Sequence, residues 1–154
     1  MAITQTTPPE AYDILRADPD AVYLDVRTAE EFAAGHPVGA RNVPVVFFRP
    51  GSPPAPNPDF VASVDRLVPR QTKLLVGCEA GGRSQRACEL LQQAGFTDLI
   101  NVHGGFGGAR DQTGRVVVPG WRDAGLPVET GGSGGTDARG AGISDVDAGA
   151  ARKP

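Results

Sequence analysis

This sequence is short of several things, and each shortage excludes something. It holds two cysteines, two histidines, one methionine and one tryptophan in 154 residues. Nowhere does it approach the run of about eighteen apolar residues that a membrane-crossing helix needs, so no membrane partner is expected. It has no surplus of positive charge: 15 Lys and Arg stand against 18 Asp and Glu, a net charge of −3. The basic residues are also scattered, which argues against a nucleic-acid surface. The first seven residues lack the basic and apolar regions of a secretory leader, and a cytoplasmic location is therefore expected. In a reducing compartment a lone pair of cysteines is more often buried or catalytic than bridged. Neither histidine has a ligand-like partner at metal spacing, so neither metal nor other cofactor is expected.

What remains is an ordinary globular composition, 40% hydrophobic and 21% charged, enough for one domain and a tail. The domain is expected over residues 1–130. From Gly131 onward the chain is Gly, Ala, Asp and Ser with almost no large apolar side chain, and residues 131–154 are expected to form a disordered tail. Within the domain, strand and helix signals alternate. Helices are expected over 8–17, 29–34, 59–68 and 83–94, with Thr28 and Glu31 as a capping box and Gly95 closing the last of them. Strands are expected over 21–27, 42–46, 73–77 and 99–102, and a small extra one over 116–118. Residues 49–58 carry five prolines and read as a stiff surface loop. Alternation of this kind implies a parallel sheet with helices on both faces, and ligands then sit beyond the C-terminal strand ends.

One such end carries the reactive chemistry. After the apolar run 73–77 come Cys78, Glu79, Ala80, Gly81, Gly82, Arg83 and Ser84, where the last helix begins. A tight loop ahead of a helix N-terminus turns backbone N–H groups inward and favours negative charge. A cysteine facing that concavity is poised as a thiolate, the nucleophilic form. Gly81 and Gly82 are expected to permit positive φ, Arg83 to offer a planar fork to an anionic donor, and Ser84 to cap the helix or bond the sulfur. Glu79 would hinder the thiolate if it faced inward, so it is expected to face solvent. Cys88 is expected to pack as a small hydrophobe, and Arg27 to pair with Glu30 or Glu31.

Four groups of residues, in order, resemble the rhodanese family of sulfurtransferases over roughly residues 8 to 130. They are Leu24-Asp25-Val26-Arg27 with Glu30-Glu31-Phe32, then Gly35-His36 followed by Gly39-Ala40-Arg41-Asn42-Val43-Pro44. The loop Cys78-x-x-Gly81-x-Arg83-Ser84 comes next, and Val102-x-Gly104-Gly105 with Ala124-Gly125-Leu126-Pro127-Val128 completes them. The resemblance implies an α/β rhodanese-like domain with a central, mostly parallel sheet of about five strands. It also implies a persulfide cycle in which Cys78 takes a sulfane sulfur from a small donor such as thiosulfate, while residues 79–84 bind substrate. A thiol or protein would be the acceptor. The chain departs from the family at Pro37-Val38, at Gly107-Gly108-Ala109 and in about a dozen extra residues, 109–120. Two rivals remain. A phosphatase or arsenate reductase of the same fold needs five residues between Cys and Arg, where this loop has four. A non-catalytic binding module would not need Cys78.

Overall fold

The computed structural model of the chain describes residues 2–132. The expected tail therefore lies, apart from Gly131 and Gly132, outside the described residues. Five strands form the central sheet: β1 (Thr4–Thr6), β2 (Val22–Asp25), β3 (Arg41–Asn42), β4 (Leu74–Gly77) and β5 (Leu99–Val102). Their order across the sheet is β1-β5-β4-β2-β3, and every pairing is parallel. Four helices cover it: α1 (Pro8–Ala17), α2 (Ala29–Ala34), α3 (Phe60–Leu67) and α4 (Gly82–Gln93).

Strand periodicity sorts the core into two layers, because successive side chains point to opposite faces. Leu24, Val26, Leu74, Val76 and Leu99 pack with Phe60 and Val64 of α3 and with Ala87, Cys88 and Leu91 of α4. Tyr23, Leu75, Ile100 and Val102 pack with Ala11 of α1, Phe32 of α2 and Trp121 on the other face. Trp121 meets Tyr12 and Tyr23 edge-on, with ring centroids 5.7 and 5.5 Å away, and its indole N–H donates to Pro127 O at 2.7 Å. An aromatic with its polar tip satisfied is an efficient filler of such a layer.

The capping box at α2 forms as its sequence implies: Glu31 N donates to Thr28 Oγ1 at 3.2 Å, and Thr28 N donates to Glu31 Oε1 at 3.0 Å. Gly95 ends α4 at φ +102°, with Phe96 N bonded to Leu91 O and Gly95 N to Gln92 O, the Schellman pattern. Two elements differ from expectation. Residues 42–46 are not one strand: β3 ends at Asn42, and Val46–Phe47 instead pairs antiparallel with Ala55–Pro56 in a surface ribbon. Pro44 supplies the reason, since it has no N–H for a ladder, although Val43 and Val45 still donate to Asp25 O and Val26 O. The edge strand β1 has no signal in the sequence, because Thr4, Gln5 and Thr6 are all polar, the buried Thr6 included, and leave no hydrophobic alternation to read.

The extra residues 109–120 form a hairpin, Ala109–Arg110 against Val116–Val118, whose turn is tied by Asp111 Oδ1 accepting from Thr113 N and Arg115 N. Among the described residues no helix is long and apolar enough to cross a membrane, and no cluster of three His, Cys, Asp or Glu could hold a metal.

Candidate active site

Cys78 follows directly on the C-terminal end of β4, and four residues later α4 is under way. Cys78 is buried, with 2% of its surface exposed. Gly81 N donates to Cys78 Sγ at 3.1 Å, and the thiol donates to Ser84 Oγ at 3.4 Å. Gly77, the residue before, is required by packing: a Cβ there would fall on the hydroxyl of Tyr23. Burial, then Asp25, pushes the Tyr23 phenol well up, so it stays neutral beside the site.

The loop's shape is fixed from behind. Phe106 N donates to Cys78 O at 2.8 Å, Gly107 N to Glu79 O at 2.9 Å and Gly104 N to Ala80 O at 2.8 Å. Three consecutive carbonyls are thus turned away from the sulfur. The close approach demands glycine on the facing segment. Gly105 adopts φ +50°, and a Cβ on it would overlap the Cys78 carbonyl. Gly107 is less constrained, since a Cβ there would meet only the Glu79 side chain, a flexible and half-exposed group that can step aside. The Val102-x-Gly104-Gly105 motif is therefore a backbone clamp on the sulfur loop.

Of the two loop glycines, only Gly81 has positive φ, at +140°. Gly82 opens α4 with ordinary helical backbone and open space where a Cβ would be, so the expectation that both need glycine is corrected. Ala80 is exposed and Ser84 is buried. Ser84 Oγ lies 2.6 Å from Asn101 Oδ1 and 3.1 Å from Gly81 O.

The charged residues pair differently from expectation. Arg83 does not stand free: its fork grips Glu31 at 2.8 and 3.1 Å, and its guanidinium lies 5.2 Å from the Phe48 ring centroid. Burial would raise the Glu31 carboxyl, but the Arg83 bonds and the Thr28 cap outweigh it and hold it at about 2. Arg27 pairs not with Glu30 or Glu31 but with Asp25, its neighbour across the strand end, at 2.8 Å, both side chains being almost fully buried. It also donates to Gly35 O at 2.6 Å and stacks 4.5 Å from the Phe106 centroid. Burial works against the Arg27 charge, and the Asp25 contacts overcome it. Glu79 does not simply face solvent: its carboxylate is 44% exposed and reaches Arg27 Nη1 at 3.4 Å.

His36 is structural in its contacts, with Nδ1 at 2.6 Å from Phe32 O and Nε2 at 3.1 Å from Glu129. His103 is exposed beside Gly81. Cys88 is fully buried on α4, and burial pushes its thiol up to about 12. Sequence reasoning missed Asn101 and Gln5. Asn101 Nδ2 donates to Gln5 Oε1 at 2.9 Å, so both belong to the shell around Ser84. The only signal was a polar residue inside the apolar run 99–102.

The rhodanese-like domain model matches residues 7–111. Thiosulfate sulfurtransferase 16, a chloroplastic protein of Arabidopsis thaliana, is 44% identical over 96 residues, covering 62% of this chain and 78% of that protein. The mitochondrial protein HIGH ARSENIC CONTENT 1 of the same plant is 42% identical over 84 residues, 54% of this chain; the match spans only about half of that relative, 49%. Among solved structures, Rv0390 from M. tuberculosis superposes with a TM-score of 0.71 at 31% identity, covering 85% of this chain and 100% of that one.

Proposed function

Because the chain belongs to the rhodanese-like domain family, we propose that it is a sulfurtransferase that carries a sulfane sulfur on Cys78. The observation that carries the reading is the placement of Sγ. The sulfur lies at the foot of α4, with the Gly81 N–H aimed at it from 3.1 Å, in a loop whose carbonyls are drawn off to the other side. That arrangement favours an anion on sulfur. In the first half-reaction the Cys78 thiolate attacks the outer sulfur of thiosulfate. A new S–S bond forms on Sγ, the donor S–S bond breaks, and sulfite leaves with the bonding pair. An acceptor thiolate then attacks the terminal sulfur, and Cys78 departs as thiolate. No cofactor is needed for this balance. Arg83, 22% exposed and shared with Glu31, is the cation that an anionic donor meets at the mouth.

The test is intact mass after incubation with thiosulfate. A gain of one sulfur atom, lost in Cys78→Ser, is the expected result; no adduct from either thiosulfate or glutathione persulfide sinks the reading. A second reading, arsenate reduction, draws on the 42% identity to the relative named for arsenic content. The loop is one residue shorter than that chemistry uses, and thiol-dependent turnover of arsenate without sulfur uptake would promote it.

A further inference from the structure

Behind Ser84 runs a chain of hydrogen bonds that the sulfur cycle leaves unexplained. Ser84 Oγ meets Asn101 Oδ1 at 2.6 Å, and Asn101, 3% exposed, donates Nδ2 to Gln5 Oε1 at 2.9 Å. Gln5 Nε2 donates to Gln85 Oε1 at 2.8 Å, and Gln85 Nε2 to Glu89 Oε2 at 3.4 Å. The direction of this chain follows from its far end. Glu89, whose other oxygen is 3.5 Å from Arg86, is a carboxylate and can only accept. Gln85 must then present its amine to Glu89 and its carbonyl to Gln5. Gln5 presents its carbonyl to Asn101, and Asn101 presents its carbonyl to Ser84. The one hydroxyl proton of Ser84 is therefore drawn toward Asn101 Oδ1 at 2.6 Å, with the Gly81 carbonyl at 3.1 Å as its longer alternative, and the Ser84 oxygen faces Cys78 as an acceptor.

We infer that Asn101, oriented by Gln5, is a positioning residue that holds Ser84 as an acceptor and so matches the resting site to the neutral Cys78 thiol. An anionic sulfur needs the opposite: Ser84 must swing its proton from Asn101 to Sγ, leaving a buried carbonyl oxygen without its donor. That oxygen is costly to strand. The network thus restrains Cys78 until Ser84 turns, while the Gly81 N–H serves the sulfur in either state. As an account of reactivity in turnover, this rests on the reading of Cys78 as the sulfur carrier. Other titratable and charged groups face Cys78 or the opening that Gln5 and Asn101 line, Arg110 among them, and an effect carried by any of these would persist with Ser84→Ala. The others are Tyr23, Asp25 and Arg27 from β2 and its end, Glu79 and Arg83 with Glu31 at the loop, Cys88 on α4, and His103 beside Gly81.

The experiment is the pH profile of Cys78 alkylation by iodoacetamide, with the adduct assigned by peptide mapping. Asn101→Leu moves the midpoint to lower pH and raises the rate at neutral pH by roughly 3- to 10-fold, the span of half to one pH unit. Gln5→Leu, on the exposed edge strand, moves it the same way by less, because Asn101 is then free to turn its amine toward Ser84. Gln5→Glu keeps an acceptor facing Asn101 and does not move the midpoint to lower pH. Both leucine effects vanish in a Ser84→Ala background. A profile unmoved by Asn101→Leu and Gln5→Leu, or moved equally with Ser84→Ala, overturns the inference. If Asn101→Leu does not fold, Gln5→Leu with and without Ser84→Ala decides alone. Sulfur uptake from thiosulfate by the unaltered protein is a separate readout: uptake without these shifts sinks the network, and shifts without uptake sink the carrier reading.

Discussion

The sulfur loop has a back and a front, and they are built from different materials. At the back, backbone meets backbone: three N–H groups of the 104–107 segment bind three consecutive loop carbonyls, with no room for a side chain at Gly105. At the front, side chains meet side chains: Arg83 grips Glu31 and stacks on Phe48, which is itself 52% exposed. Contacts of the first kind cannot be exchanged without moving the chain. Those of the second kind can be traded for a substrate at modest cost. Shape is thus held by the back of the loop and charge by its front.

Alteration of the back has the largest expected effect. Gly105→Ala adds a Cβ into the Cys78 carbonyl at a residue with φ +50°, and the neighbours are backbone, which cannot step aside. We expect a loss of about 3 kcal/mol or more in stability, read as a fall in the urea midpoint, together with loss of sulfur uptake. A Gly105→Ala protein with unaltered midpoint and uptake would break the distinction.

Alteration of the front has a smaller and pH-dependent effect. The Glu31 carboxyl is depressed to about 2, so its stabilisation is fully present above the unfolded value of 4.5 and lost as pH falls through the folded one. Because the pair is partly exposed, solvent screening reduces its worth to about 1 kcal/mol. Glu31→Gln should therefore cost about that much at pH 7, and the difference from the unaltered protein should shrink between pH 4.5 and 2. Arg83→Ala should return the Glu31 titration toward 4.5, followed by carboxyl NMR, and raise KM for thiosulfate several-fold more than it lowers kcat. An equal fall in kcat would place Arg83 in the chemistry and not at the entrance.

The smallest effect sharpens the comparison inside the loop. Gly82→Ala meets open space in a helical first turn and should leave uptake intact with stability equal or higher by up to about 1 kcal/mol. Gly81→Ala, at φ +140°, should lose both stability and uptake. Thermal midpoints of the two variants, measured side by side, decide it.

Much of this was legible in the sequence because periodicity and capping residues report directly on local structure. The helix boundaries at 8–17 and 29–34 are where proline and the Thr28–Glu31 pair put them, and β5 lies over 99–102 as its apolar run implies. Cys78 at a strand end before a helix was equally plain. What was not legible depends on partners distant in the chain. Nothing local says that Glu31 turns to Arg83, 52 residues on, and leaves Arg27 to Asp25. Nor does a three-residue polar segment announce that it will add an edge strand and place Gln5 on Asn101. The glycines at 104 and 105 were visible as a motif, but their purpose appears only when the carbonyls they serve are in view.

The clamp on Cys78, Glu79 and Ala80 also constrains how this loop can change length. A residue inserted between Cys78 and Ala80 would carry at least one carbonyl off its donor and unseat the sulfur. A residue inserted after Ala80 would leave all three carbonyl bonds in register while lengthening the turn toward the helix, but directly between Ala80 and Gly81 it would carry the Gly81 N–H off Cys78 Sγ. Length added to this cradle keeps both the clamp and the N–H on the sulfur when it enters after Gly81, at the opening of α4.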